Sequence, residues 1–175
     1  MNLLTTAHHD NGVMHRLASC PGLDPPEDVL LVEQPPADVL FLSSAGTDLS
    51  SLDLWLRGAD REIWTHSVRA LSLEHLSHPA QLDHYLSTTA QQARLVLVRL
   101  LGGRGHWSYG IEQLQLWQQQ VSDRRLIILA GTADQDQVLH GLGSIPTELA
   151  DCLAMLLREG GSRNFGELFA VIQQL

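Results

Sequence analysis

Residues 94–110 read RLVLVRLLGGRGHWSYG, and this stretch decides the fold. An apolar run ends in an arginine, breaks into a glycine-rich loop with a second arginine, and continues through two aromatic residues into an amphipathic segment. This order predicts a buried strand, a turn and a helix. In parallel α/β domains, ligands bind at such junctions, outside the carboxyl ends of the strands. The junction is therefore the first candidate for a ligand-binding site.

The remaining apolar segments predict the rest of a sheet. Continuous hydrophobic runs are typical of parallel strands that are covered on both faces. Because helical patterns separate the strands, the expected fold is α/β, with a doubly wound, mostly parallel sheet of four or five strands flanked by helices. We predict strands at Val39–Ser43, 62–66, Leu95–Leu100 and 126–130, with Leu3 and Leu4 as a candidate fifth.

Three helices between these strands have recognisable starts. Thr47 and Ser108 are N-cap candidates, and His78 precedes a proline, which suits the first turn of a helix. Each helix has an apolar stripe at helical spacing. The expected stripes are Leu49, Leu52 and Trp55 or Leu56; Leu82, Leu86, Thr89 or Ala90, and Ala93; and Ile111, Leu114, Trp117 and Val121.

Two more helices are predicted at the end of the chain. The first covers 146–158 and stops at Gly160 and Gly161. The second starts with Asn164 and Glu167, which have the spacing of a capping box.

The predicted organisation is an α/β domain at 1–145, with a proline-rich excursion at 20–38, followed by C-terminal helices at 146–175. The last helix runs to the end of the sequence without a stop signal, which favours a fragment over a complete chain. We therefore expect 146–175 to be the start of a longer chain.

Composition excludes several classes of function. At 175 residues and 44% hydrophobic, the chain can bury one core, and no apolar run approaches the ~20 residues of a membrane span. The net charge of −9, with no basic run, argues against nucleic acid and anionic membranes as partners. All 11 basic residues are arginines, which excludes a Walker lysine, a Schiff-base lysine and a lysine base. The start lacks a signal peptide, so we predict a cytoplasmic protein.

The loop after the third predicted strand has two interpretations, and the sequence leaves both open. In the first, glycines let backbone amides approach an anion, arginines grip carboxylates and aromatic rings stack on a flat ligand. In the second, it is a tight turn whose arginines pair with local acids and whose tryptophan fills a gap between helix and sheet. The candidate binding residues are Arg99, Gly102, Gly103, Arg104, Trp107 and Tyr109.

No metal site is predicted. His75, His78 and His84 do not converge on one helical face, so capping or solvated roles are favoured. Asp134 and Asp136 follow a predicted strand and have the look of a magnesium-binding pair, but a solvated first helical turn explains them equally well and is the interpretation we favour.

Nucleophilic catalysis has little support. Ser43 and Ser44 follow a strand without a nucleophile-elbow motif. Cys20 and Cys152 lack metal-ligand spacing and are expected to be reduced, with Cys152 packed inertly on the apolar side of a helix. We predict no catalytic residue in this chain.

Residues 97–114 closely resemble a hallmark stretch of one family, the large (CobN-type) subunit of ATP-dependent cobaltochelatase, which is related to the large magnesium-chelatase subunit. Weaker similarities follow in the same order along the chain, at 1–4, 34–44, 78–79 and 164–165. The resemblance thus spans most of the chain, but its specific motif lies at 99–114.

The resemblance implies the N-terminal domain of a much longer subunit. In that family, the large subunit binds the tetrapyrrole and the metal, while AAA+ partner subunits hydrolyse ATP. It implies that this segment is non-catalytic and holds no cofactor, with cobalt and ATP handled elsewhere. The leading hypothesis is that it helps to bind the corrinoid substrate, hydrogenobyrinate a,c-diamide. The alternative is a structural module that docks on the rest of the subunit or on the AAA+ partners.

Overall fold

A computed structural model describes residues 29–58, 64–132 and 136–175. It confirms the doubly wound α/β fold, because the sheet has four strands in the order β2-β1-β3-β4 and every neighbouring pair is parallel. The strands are β1 (Val39–Ser43), β2 (Val68–Ser72), β3 (Leu95–Leu100) and β4 (Arg125–Ala130). Leu3 and Leu4, the candidate fifth strand, lie outside the described residues.

Six α-helices within the described ranges cover both faces of the sheet. They are α1 (Gly46–Arg57), α2 (Pro79–Ser87), α3 (Ser108–Gln119), α4 (Gln137–His140), α5 (Thr147–Glu159) and α6 (Gly161–Ile172). One face packs against α2 and α3, and the other packs against α1, α5 and α6. No helix in the described part of the chain has the length and apolarity to cross a bilayer.

Alternation along the central strands divides the core in two. Leu40 and Val96 face the α2–α3 side, whereas Phe41 and Leu97 face the side of α1, α5 and α6. Both sides are buried, which explains why these strands read as continuous apolar runs. The C-terminal helices complete one of these two layers, so the core has no break at residue 145. The division into two parts at that residue stays a prediction.

The strand predicted at 62–66 is wrong for 64–66, which form no strand, whereas 62 and 63 lie outside the described residues. The second strand of the described sheet lies at Val68–Ser72. Trp64 and His66 are outside any strand, and the Trp64 ring instead packs in the core against the rings of Trp55 and Phe169. β2 is an edge strand in which only Leu71 is fully buried. The apolar pattern of β2 in the sequence is therefore weaker than the signal from Trp64, the buried tryptophan that precedes this strand.

Two predicted helix caps and one predicted capping box are wrong. Helix α1 begins at Gly46, and α3 begins at Ser108 without a side-chain cap. Helix α6 begins at Gly161, so Asn164 lies inside its first turn and donates from Nδ2 to the Gly160 carbonyl (2.7 Å). Val121, predicted in the α3 stripe, lies beyond the end of that helix and is exposed.

Other local predictions are confirmed. His78 caps α2 by accepting from the Ala80 amide, and the side chain of Gln81 returns to the His78 amide in a capping box. Helix α5 ends at Gly160, whose φ of +64° is a conformation that glycine adopts readily. Cys152 is a free thiol but is exposed, which corrects its predicted burial on the apolar side of α5.

Side chains close both edges of the sheet. On β2, Arg69 donates to the carbonyl of Val68, and Gln34 donates to that of Ala70. On β4, the Ser144 hydroxyl accepts from the Leu126 amide, and His140 Nε2 accepts from the Ala130 amide. Unpaired strand groups invite edge-to-edge association. Their occupation by these side chains opposes addition of a further strand.

Candidate functional site

The carboxyl ends of β1 and β3 form the place where ligands bind in doubly wound sheets. The chain leaves β1 toward β2 on one side and leaves β3 toward β4 on the other, so the strand order reverses between β1 and β3. This reversal normally opens a crevice at the carboxyl edge. Arg99 and Ser43, which are register partners near the ends of β3 and β1, lie at this point.

A buried network occupies the crevice. Arg99 is only 7% exposed and forms an ion pair with Asp48, in the first turn of α1. The Ser43 hydroxyl donates to the other oxygen of Asp48 (2.5 Å), and Arg99 Nη2 donates to the Gly131 carbonyl (3.4 Å). Both Nη atoms of the guanidinium are therefore committed to protein acceptors, whereas its buried Nε has no hydrogen-bond partner among the described residues.

Short links between the loops close the same edge. The Ser44 hydroxyl donates to the Arg99 carbonyl (3.1 Å) and accepts from the Leu101 amide (2.9 Å). The Gly131 amide donates to the Leu100 carbonyl (2.6 Å). A Cβ atom on Gly131 would lie 2.5 Å from the Leu101 side chain, so the β4 loop packs directly on the β3 loop. Protein groups thus fill the position where a ligand would enter between β1 and β3.

The glycine loop projects from this closed edge. Gly102 and Gly103 have φ values of +91° and +72°, which L side chains rarely adopt. The His106 imidazole lies over Gly102, since a Cβ there would be 2.8 Å from the ring. The Arg104 side chain is exposed, and its guanidinium has no hydrogen bond or ion pair with any residue in the described ranges. It is the member of the predicted set whose charge remains available.

Trp107 fills the gap between helix and sheet, as the second interpretation of the loop proposes. Its ring is half-buried against the α2–α3 core, and Nε1 donates to the Leu76 carbonyl (3.1 Å). A Cβ on Gly110 would lie 2.1 Å from this ring, so the indole rests directly on α3. That face of Trp107 is not open for stacking on a ligand.

Tyr109 is exposed, but its hydroxyl is engaged. It donates to Asp83 Oδ1 on α2 (2.8 Å), which ties the start of α3 to α2. The hydrogen bond to Asp83 raises the pKa of Tyr109, because the neutral phenol is the donor.

Among the predicted binding residues, the structure brings Gly102, Gly103 and Arg104 together on one loop and separates them from Arg99 and Trp107.

We expect Tyr109 to ionise above the ordinary tyrosine pKa of about 10, and Asp83→Asn to move it back toward that value. Because the folded-state pKa is raised, this bond stabilises the fold below pH ~10 and is lost as pH rises through the folded-state pKa. Ultraviolet titration in a Tyr85→Phe background isolates the Tyr109 phenol, since the chain has 2 tyrosines. Identical titrations with and without Asp83 would show that the bond does not form in solution.

Sequence analysis missed a second buried pair near the site. His140 is 1% exposed, its Nε2 accepts from the Ala130 amide (2.9 Å), and its Nδ1 lies 2.6 Å from Asp151 Oδ1. Since Nε2 is an acceptor, the proton is on Nδ1 and is donated to Asp151. The only sequence signal was a histidine eleven residues before an acid, which does not predict contact. Asp48 was missed similarly, as an ordinary acidic residue in a first helical turn.

The described residues contain no group of three or more histidines, cysteines or acids that could hold a metal ion. His78 is a helix cap, and Asp136 caps α4 by accepting from the Leu139 amide (2.9 Å). Asp134, the other half of the predicted acidic pair, lies outside the described residues.

Comparison with known proteins gives relatives of one kind. The chain is 32% identical over 157 residues to the aerobic cobaltochelatase subunit CobN of Pseudomonas aeruginosa, which covers 89% of this chain and 12% of that protein. It is 36% identical over 134 residues to the subunit of the same name from a Sinorhizobium species, covering 76% and 10%. No family model matches the chain.

Among solved structures, the catalytic subunit of cobaltochelatase from Mycobacterium tuberculosis matches with a TM-score of 0.59 and 24% identity, over 78% of this chain and 10% of that one. This likeness concerns the fold alone. This chain spans about a tenth of the length of the proteins that it matches.

The fold and the site define a doubly wound α/β segment whose usual ligand crevice is closed by a buried ion pair. Its similarity to two curated relatives along most of its length identifies its family. The chain belongs to the CobN-type family of cobaltochelatase subunits and matches one part of its longer relatives.

Proposed function

We propose that this chain is a non-catalytic docking segment of a cobaltochelatase subunit that acts in cobalamin biosynthesis. The observation that carries the proposal is the closed carboxyl edge, where Arg99 is committed to Asp48 and Gly131. A segment without an open crevice contributes to a large assembly through its surface. The remainder of the subunit is its first partner, and the AAA+ subunits that hydrolyse ATP are the second. Its proposed location is the cytoplasm.

The loop gives a specific reason to keep corrinoid binding as a second candidate. Arg104 is an exposed cation on a glycine-rich turn, and the corrinoid substrate carries several carboxylates. In this form of the proposal, Gly102, Gly103 and Arg104 contact the ligand. Arg99 and Trp107 hold the loop from below, and Tyr109 keeps its bond to Asp83.

A titration separates the two candidates. We expect the 175-residue chain to bind a CobN-type subunit that lacks its matching segment, and to show no saturable tryptophan quenching with hydrogenobyrinate a,c-diamide. Corrinoid binding would instead give saturable quenching that Arg104→Ala weakens about tenfold or more, since a charge-assisted contact contributes about 1.5–3 kcal/mol. Gln119→Ala, exposed at the end of α3, is the matched control.

Each outcome decides between the candidates. Association with the truncated subunit without corrinoid binding supports docking. Saturable corrinoid binding that depends on Arg104, without such association, replaces docking by the second candidate. Failure of both measurements, with the chain folded by circular dichroism, contradicts both.

A further inference from the structure

Outside the carboxyl edge, the structure contains a groove with an aromatic wall. A cavity of about 580 Å³ lies between α1 and α6, and we call it the α1–α6 groove. Its wall includes Trp55 and Trp64, whose rings cluster with that of Phe169 at centroid distances of 4.4 Å and 4.9 Å. Along α6, the groove is lined by small residues four apart: Ser162, Gly166 and Ala170. Small side chains at this spacing let another backbone approach the helix closely.

Two indole N–H groups at this groove lack acceptors within the described part of the chain. Trp55 is 3% exposed and Trp64 is 7% exposed, and the Nε1 atom of each has no hydrogen-bond partner there. Buried donors without a partner are rare in native proteins, because each has lost its hydrogen bonds to water without replacement. The other two tryptophans follow the rule, since Trp107 and Trp117 donate to the carbonyls of Leu76 and Ala90. The two unpaired indoles therefore share one groove, whereas the other two buried side-chain nitrogens without a hydrogen-bond partner in the described ranges, His84 Nε2 and Arg99 Nε, lie elsewhere.

Gly166 marks the approach to one of these donors. A Cβ atom at this position would lie 3.6 Å from Trp55 Nε1, so no side chain at position 166 covers that N–H. A partner that places a carbonyl or carboxylate oxygen here would supply the missing acceptor. Arg163 and Glu167 form an exposed ion pair on the same helix and give the groove a polar rim.

We infer that the α1–α6 groove receives another segment of the same CobN-type subunit, one that packs apolar side chains on α6 and offers oxygen acceptors to the two indoles. This inference rests on the proposed docking function and assigns it a surface. The relatives are about ten times longer than the part that this chain matches, so the rest of such a polypeptide is the nearest source of a segment to cover the groove. Small residues, unpaired donors and an apolar wall coincide in this groove.

The test uses indole N–H signals of the 175-residue chain in nuclear magnetic resonance. The probe is a CobN-type subunit that lacks its matching segment. On binding, the Trp55 and Trp64 signals are expected to shift downfield and to exchange more slowly with solvent. The Trp107 and Trp117 signals, which already have carbonyl acceptors, serve as internal controls and are expected to stay in place.

Substitutions in the groove provide a second readout. Ala170→Arg fills the groove from an exposed position and is expected to weaken binding at least tenfold, whereas Gln119→Arg on α3 changes it less than twofold. Gly166→Ala is the sharper variant, because alanine favours a helix and the added methyl makes only ordinary contacts. It is expected to raise the melting temperature of the chain and to weaken binding.

The outcomes separate this inference from the docking proposal. Association that shifts the Trp107 signal, that shifts none of the four indole signals, or that tolerates Ala170→Arg overturns the groove assignment. Each of these results leaves docking intact. Self-association of the chain through the groove, seen by sedimentation, also overturns it. Absence of any association overturns the docking function and this inference with it.

Discussion

Replacing Arg99 by methionine is expected to lower the free energy of unfolding by about 3–5 kcal/mol, because Asp48 would remain as an uncompensated buried charge. Asp48 is 4% exposed and would keep only the Ser43 hydroxyl as a donor. Urea denaturation followed by circular dichroism measures the loss. A change below about 1 kcal/mol would mean that the pair is solvated and that the carboxyl edge is open.

The double variant Asp48→Leu/Arg99→Met is the matched control. Apolar replacement of both members of a buried pair is often neutral or stabilising, so the double variant is expected to recover most of the loss. The Ser43 hydroxyl loses its acceptor, which leaves a deficit of about 1 kcal/mol. If the double variant is no more stable than Arg99→Met, the two side chains do not interact as the structure indicates.

His140→Ala is expected to destabilise the chain by about 2–5 kcal/mol. The substitution removes the acceptor for the Ala130 amide and the donor to Asp151, and it leaves a cavity beside β4. Amide hydrogen exchange should show the largest loss of protection at Ala130 and its neighbours. Because Gly131 accepts from Arg99, the loosening is expected to spread to the β3 loop.

Asp151→Asn is the control for His140. An asparagine oxygen still accepts from Nδ1, so the histidine keeps its orientation and the cost is expected to be about 1 kcal/mol. Equal losses for His140→Ala and Asp151→Asn would contradict the role of His140 as the cap of the β4 edge.

The central strands could be predicted from the sequence because they are buried on both faces. β1 and β3 are apolar except for Ser43 and Arg99 near their carboxyl ends, and the glycines after β3 mark where the strand ends and the chain turns. β2 escaped prediction because an edge strand needs only one inward residue, Leu71, and a tryptophan nearby carried a stronger signal. Local sequence patterns therefore locate the strands that are buried on both faces, because such burial makes their apolar residues continuous.

The candidate loop could be located from the sequence, but the partners of its side chains could not. Arg99 and Asp48 are separated by 51 residues, and the contact depends on how α1 leaves β1 beside β3. Trp107 and Leu76 are separated by 31 residues and meet only once α2 and α3 pack on one face. No spacing rule in a single sequence distinguishes an arginine that binds a ligand from one that pairs with a distant acid.

The most direct test of the account is a corrinoid titration of the folded double variant Asp48→Leu/Arg99→Met beside the unmodified chain, with binding to the truncated subunit measured in parallel. With a closed edge and a docking role, neither form is expected to bind hydrogenobyrinate a,c-diamide, and both are expected to bind the truncated subunit with affinities within about twofold. Saturable corrinoid binding by the unmodified chain that disappears in the equally folded double variant would contradict it. Arg99 would then be a ligand contact rather than part of the closure.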